Sequence, residues 1–133
     1  MYYFQGEETP MSKRNYVDGF VIPLKKTNVA AYKKMANIGQ KLWMEHGALD
    51  YYECVGEDIK NDWGTSFEKL CKLKPSETLI FAFITYKSKT HRNQVNKKVM
   101  SDPRLKMDEK KMPFDVKRFS MGGFKVLLSD RVS

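Results

Sequence analysis

LIFAFITY, residues 79–86, is the stretch that decides the fold. It is built from aromatic and β-branched residues, which favour a pleated strand. Its side chains alternate, with Leu79, Phe81 and Phe83 on one side and Ile80, Ala82 and Ile84 on the other. Both sides are apolar, so both faces of this strand should be buried.

Working outward, residues 77–73 give way to Pro75 and a polar stretch, and residues 65–73 read as a short extra strand. Further back, residues 49–56 (LDYYECVG) form a strand. Before it, Val29, Tyr32, Met35, Ala36, Gly39, Leu42 and Trp43 recur at helical spacing from a cap at Thr27 or Asn28 to a stop at Gly47. Residues 16–24 (YVDGFVIPL) form the first strand. Forward of residue 86, Ser88 or Thr90 caps a second helix that Asp102-Pro103 ends. A further turn of helix is expected near residues 104–107. Residues 115–128 then read as one long strand, with Gly122-Gly123 marking a bulge or bend.

The order is βαβ(β)βαβ, an α+β fold with a ferredoxin-like antiparallel sheet and two helices on one face. Two helices cover only one face of four strands. An apolar sheet face left bare is rare on a soluble monomer, so the expected assembly is a homodimer packed sheet against sheet.

The 133 residues support a single domain, assigned to residues 11–133. MYYFQGEETP, residues 1–10, resembles a purification-tag remnant followed by an initiator at Met11. LIFAFI is too short a run to span a membrane. Two cysteines, Cys54 and Cys71, make no disulfide framework and read as buried, inert thiols in a reduced, cytoplasmic protein.

The formal net charge is +8, but it is unevenly spread. Residues 45–68 are strongly acidic, and the segments on either side are basic. A contiguous basic face is what duplex binding needs, so nucleic acid is not the expected partner. No Walker loop, GxGxxG, GxSxG, paired-Cys or HExxH pattern is present. His46 and His91 lie far apart in sequence without metal-ligand spacing, and neither a metal nor a cofactor is expected. His46 falls in the last turn of the first helix, where its charged form would suit the helix C-terminus.

Glu53 is the candidate catalytic residue, because it shares a side with Leu49, Tyr51 and Val55. A carboxylate among apolar neighbours needs a partner, and Arg118 or Lys117 on the last strand is the obvious candidate. Either Glu53 is a general base with Arg118 as an anion-stabilising donor, or it is a satisfied ion pair or surface residue. Arg92 and Asn96 form a polar stripe beside Val95 and Val99 on the second helix, and offer donors to a ligand between helix and sheet. Trp43, Tyr51, Tyr52 and Trp63 are candidate cavity walls, with Trp63, in a polar loop, a candidate lid.

Several blocks spread over residues 16–128 together resemble the YbaA-like family of small bacterial proteins, a domain of unknown function. They are YVDGFVIPL (16–24), KKMA (33–36), EHGAL (45–49), ECVGED (53–58), KVMSDPRL (98–105), MPFDVKR (112–118) and GGFKVL (122–127). The resemblance implies membership of the dimeric α+β barrel superfamily, which includes cofactor-independent monooxygenases, haem-degrading enzymes, muconolactone isomerase-like proteins and stress-responsive barrels. A shared fold does not transfer a reaction, and the resemblance carries over no catalytic residue. His91 is on a helix, as is the iron ligand of the haem-degrading proteins, but nothing around it supports that match. Two functions follow as expectations: binding of a small organic molecule between sheet and helices, with or without catalysis, or a non-catalytic stress or interaction role using the charged surface.

Overall fold

The computed structural model describes residues 13–131, so the apparent tag remnant lies outside the described residues. Strands β1 (Tyr16–Lys25), β2 (Asp50–Val55), β3 (Glu77–Tyr86) and β4 (Ser120–Lys125) form one antiparallel sheet in the order β2-β3-β1-β4. Helices α1 (Val29–Glu45) and α3 (Lys89–Met100) connect β1 to β2 and β3 to β4, and a one-turn helix, α2 (Phe67–Leu70), lies between β2 and β3.

LIFAFITY is an inner strand, hydrogen-bonded to β1 on one side and β2 on the other. Its Ile80 and Ala82 pack with Ile22 and Leu24 of β1 against Tyr32 and Ala36 of α1. Its Ile84 and Tyr86 pack with Leu42 of α1 against Val95 and Val99 of α3. Both long helices therefore cover one face of the sheet. On the opposite face Phe81 is exposed beside Tyr52, and the Tyr52 and Phe83 rings stack at 4.9 Å.

Several local expectations fail for identifiable reasons. Residues 65–73 hold α2 rather than a strand, because the Ser66 hydroxyl accepts from the Lys69 amide and caps a helical turn. The last strand is confined to residues 120–125. Ahead of it the Asp115 side chain accepts from the Lys117 amide and closes a 3-10 turn at Val116–Arg118. No helix forms at residues 104–107, and the short turn falls instead at Glu109–Lys111, capped by Asp108. Thr27 and Asn28 sit in a 3-10 turn, and the Asn28 side chain donates to the Pro113 carbonyl instead of capping α1. Ser88 does cap α3, accepting from the His91 amide at 3.1 Å.

The two glycines of β4 make no bulge, since Gly122 and Gly123 pair in register with Gly19 and Asp18. They make room. On the open face the Phe124 ring lies over Gly19 and Gly122, and on the helix face Tyr16 and Arg92 lie against Gly123. Gly47 ends α1 with a positive φ of 116° that a side chain would resist. Cys54 is exposed, not buried, because alternation along β2 places it on the open face with Tyr52.

Candidate functional site

The two core clusters do not meet completely. Between the helix-side face of the sheet, α1, the end of α3 and the chain at residues 104–119 lies a cavity of about 400 Å³. Aromatic walls come from Phe20, Tyr32, Trp43, Tyr51, Phe114 and Phe119. Met35, Met100, Met107, Met112 and Met121 supply flexible apolar surface between them. The segment that fails to form the long last strand is what closes this space, since Phe114 and Phe119 stack at 5.8 Å and meet Tyr32 and Phe20.

Alternation along β2 points Tyr51 and Glu53 to the helix side, opposite Ile84 and Ala82. Both oxygens of Glu53 accept a phenol: Tyr32 donates to Oε1 at 2.7 Å and Tyr51 to Oε2 at 2.8 Å. Burial, reinforced by this carboxylate, pushes both phenols well above the usual tyrosine range, so they stay protonated. Glu53 also borders a second, outer groove of about 280 Å³ between α1 and β2, which Lys33 lines.

Asn96 borders the cavity from α3, and its Oδ1 accepts from Trp43 Nε1 at 3.0 Å and from the Tyr86 hydroxyl at 3.4 Å. Beside it lies a group that pattern reading passed over. Asp18, in the apolar strand β1, is 1% exposed and borders the cavity. Its Oδ1 lies 3.4 Å from Arg92 Nε, and neither atom has a hydrogen-bond partner. Burial raises the Asp18 carboxyl above its ordinary value, against the opposing pull of Arg92. The signal was present in YVDGFVIPL, where Asp18 shares a face with Phe20, Ile22 and Leu24.

The remaining site candidates lie elsewhere. Arg118 does not meet Glu53. It forms a two-pronged pair with Glu77, at 2.6 and 3.1 Å, and its Nη2 donates to the carbonyls of Cys71 and Lys72. The expected Glu53–Arg118 pair is thus replaced by phenol hydrogen bonds, because residue 118 sits in a turn beside the start of β3 and not on the last strand. Arg92 faces Asp18 and donates to the Tyr16 hydroxyl at 3.0 Å, outside the cavity wall. Trp63 is 88% exposed in its loop and forms no part of the wall. His46 ends α1 with Nε2 2.9 Å from Asp102 Oδ2. His91 Nδ1 accepts from the Lys87 amide, and burial lowers the His91 pKa. Among the described residues, no helix is long and apolar enough to cross a membrane, and no group of three or more His, Cys, Asp or Glu side chains is placed to hold a metal ion.

The fold is an α+β sandwich of one antiparallel sheet with helices on one face. Residues 15–116 match the model of a family described as proteins of unknown function, DUF1428. The uncharacterised YbaA protein of Escherichia coli strain K12 is 39% identical over 115 residues, covering 86% of this chain and 98% of that protein. Its counterpart in Shigella flexneri shows the same identity and coverage. The chain belongs to the DUF1428, YbaA-like family.

Proposed function

We propose that the protein binds a small, predominantly apolar organic molecule between its sheet and helices. One observation carries this reading: a 400 Å³ cavity, walled by aromatic and methionine side chains, with Glu53, Asn96 and Asp18 converging on it. Ligand sites are characteristically concave, mostly apolar and furnished with a few placed polar groups, in the range of roughly 300–1,000 Å³. A solid core with a contiguous basic surface would favour the alternative, a non-catalytic stress or interaction protein. If the site is catalytic, Glu53 is its base, oriented by two phenols, and cofactor-independent monooxygenase- or isomerase-like chemistry fits by analogy of fold alone.

The strand order β2-β3-β1-β4, with a helix in each of the two crossovers, supports a ferredoxin-like subunit. We further propose that two subunits pair sheet to sheet. The middle of the open face presents Val17, Val21, Tyr52, Phe81, Phe83 and Phe124 without a charged side chain, so a second copy meets it at no cost in desolvated charge.

N-Phenyl-1-naphthylamine, a neutral dye that fluoresces in apolar surroundings, tests the cavity. Enhancement is expected with the wild type and should be lost in Met121→Trp, which fills the space from β4. No enhancement, or enhancement indifferent to Met121→Trp, overturns the reading.

A further inference from the structure

The hydrogen-bonding inventory of the cavity wall is lopsided. Tyr32 and Tyr51 spend their hydroxyl protons on Glu53. Trp43 spends its Nε1 proton on Asn96. The Tyr86 hydroxyl lies against Asn96 and Asp18, and the Asn96 side chain also reaches the Asp18 carboxylate. The wall's donors are therefore committed to the wall's own acceptors.

Acceptors are left over. A carboxylate has about four lone-pair sites, and each Glu53 oxygen uses one on a phenol. Asp18 Oδ1 also lacks a hydrogen bond, but it is buried and already faces the Arg92 cation at 3.4 Å, so Glu53 is the acceptor open to a ligand. Cations do not redress the balance. Arg104 borders the cavity but is tied to Asp102 and Glu45 at 2.8 Å each. Lys106 also borders the cavity but is exposed to water, and Lys33 lines the outer groove instead of the cavity. An anion seated beside Glu53 and Asp18 would meet carboxylates, while the cations that border the cavity, Arg104 and Lys106, are exposed to water.

We infer that the ligand is an apolar molecule with a hydrogen-bond-donating, cationic head, in chemical class a protonated amine, seated against the Glu53 carboxylate. The inference rests on the cavity reading above and adds the sign and polarity of the ligand. The head donates to the lone pairs that Tyr32 and Tyr51 leave on Glu53, a charge-assisted contact at an exposed carboxylate where the cavity meets the outer groove.

Three compounds of one ring system decide the matter: 1-naphthylmethylamine, 1-naphthylmethanol and 1-naphthoate, titrated calorimetrically at pH 7 against the wild type and Glu53→Gln. The amine should bind the wild type about tenfold or more tighter than the acid, the gain expected of one charge-assisted contact. In Glu53→Gln the amine should lose most of that advantage while the alcohol is unchanged. Acid binding equal to or tighter than amine binding overturns the inference and leaves the cavity reading standing, as does an amine preference that survives Glu53→Gln. Binding by none of the three overturns both. The wild-type comparison holds even if the variant fails to fold.

Discussion

Asp18 Oδ1 lies 3.4 Å from Arg92 Nε, and this pair joins the inner strand β1 to α3 without a hydrogen bond between the two atoms. Removing one member should cost more than neutralising the other. Arg92→Met leaves a nearly fully buried carboxylate without its counter-charge and is expected to destabilise by about 3 kcal/mol at pH 7. Asp18→Asn keeps the shape and should cost nearer 1 kcal/mol. The pH dependence separates the two. The folded carboxyl pKa is raised, so the folded state holds a proton that the unfolded chain has released, and stability is lost as pH rises through the folded pKa. The deficit of Arg92→Met should therefore shrink on going from pH 7 to pH 5, while that of Asp18→Asn, which removes the titrating group, should not shrink. Urea denaturation at the two pH values is the measurement. Equal deficits at both would refute this account.

The Arg92 side chain also explains a glycine. A Cβ on Gly123 would collide with the Tyr16 hydroxyl and come within 2.6 Å of Arg92 Nη2, whereas a Cβ on Gly122 meets only the Phe124 ring at 3.5 Å. Gly123→Ala is expected to cost about 1–3 kcal/mol, the range for forcing extra volume into a packed site. Gly122→Ala should be nearly neutral. Thermal unfolding of the two variants side by side checks the contrast, and equal shifts would leave the crowding at Gly123 without energetic meaning.

Period-two and helical patterning located β1, β2, β3, α1 and α3, because burial of one stripe or both faces writes itself into the sequence there. The same alternation placed Tyr51 and Glu53 on a common side, and the register bears that geometry out. Patterning failed where short polar side chains decide the backbone. Ser66, Asp108 and Asp115 each capture a nearby amide and turn the chain, and apolar content alone does not register such captures. The misreading of residues 115–119 as strand then hid the cavity, because Phe119 became a strand residue when it is part of the wall. It also brought Arg118 to Glu53 on paper, although Glu77 holds it in the fold. Asp18 was visible as a polar residue on an apolar face, but its partner lies 74 positions on in the chain, on α3, and no local pattern links the two.

Arg118 pairs with Glu77 through both carboxylate oxygens, and this contact holds the Glu77 carboxyl below the usual carboxylate range. A lowered folded pKa contributes stability above the ordinary value of about 4.5, which disappears as pH falls through the folded pKa. Arg118→Met should therefore be less stable than the wild type at pH 7, by about 1 kcal/mol or somewhat more for a two-pronged, partly buried pair. The two curves should converge as pH falls through the lowered Glu77 pKa. Because residue 118 is no part of the cavity wall, dye binding should be unchanged. A loss of dye binding in a folded Arg118→Met protein would return this arginine to the site.

Phe81 is 46% exposed at the middle of β3, on the face that neither helix covers. Its ring meets Phe83, which stacks on Tyr52, and Phe124 lies exposed on the outer strand of the same face. An apolar sheet face of this extent is seldom left to water in a monomer. Phe81→Glu places a charge at its centre without disturbing the helix-side core. Light scattering at micromolar concentration is expected to give twice the chain mass for the wild type and the chain mass for Phe81→Glu. The variant should keep its dye binding, since the cavity opens on the other side of the sheet. A wild type that scatters as a monomer would remove the sheet-to-sheet dimer, and a Phe81→Glu protein that remains dimeric would move the interface to another surface.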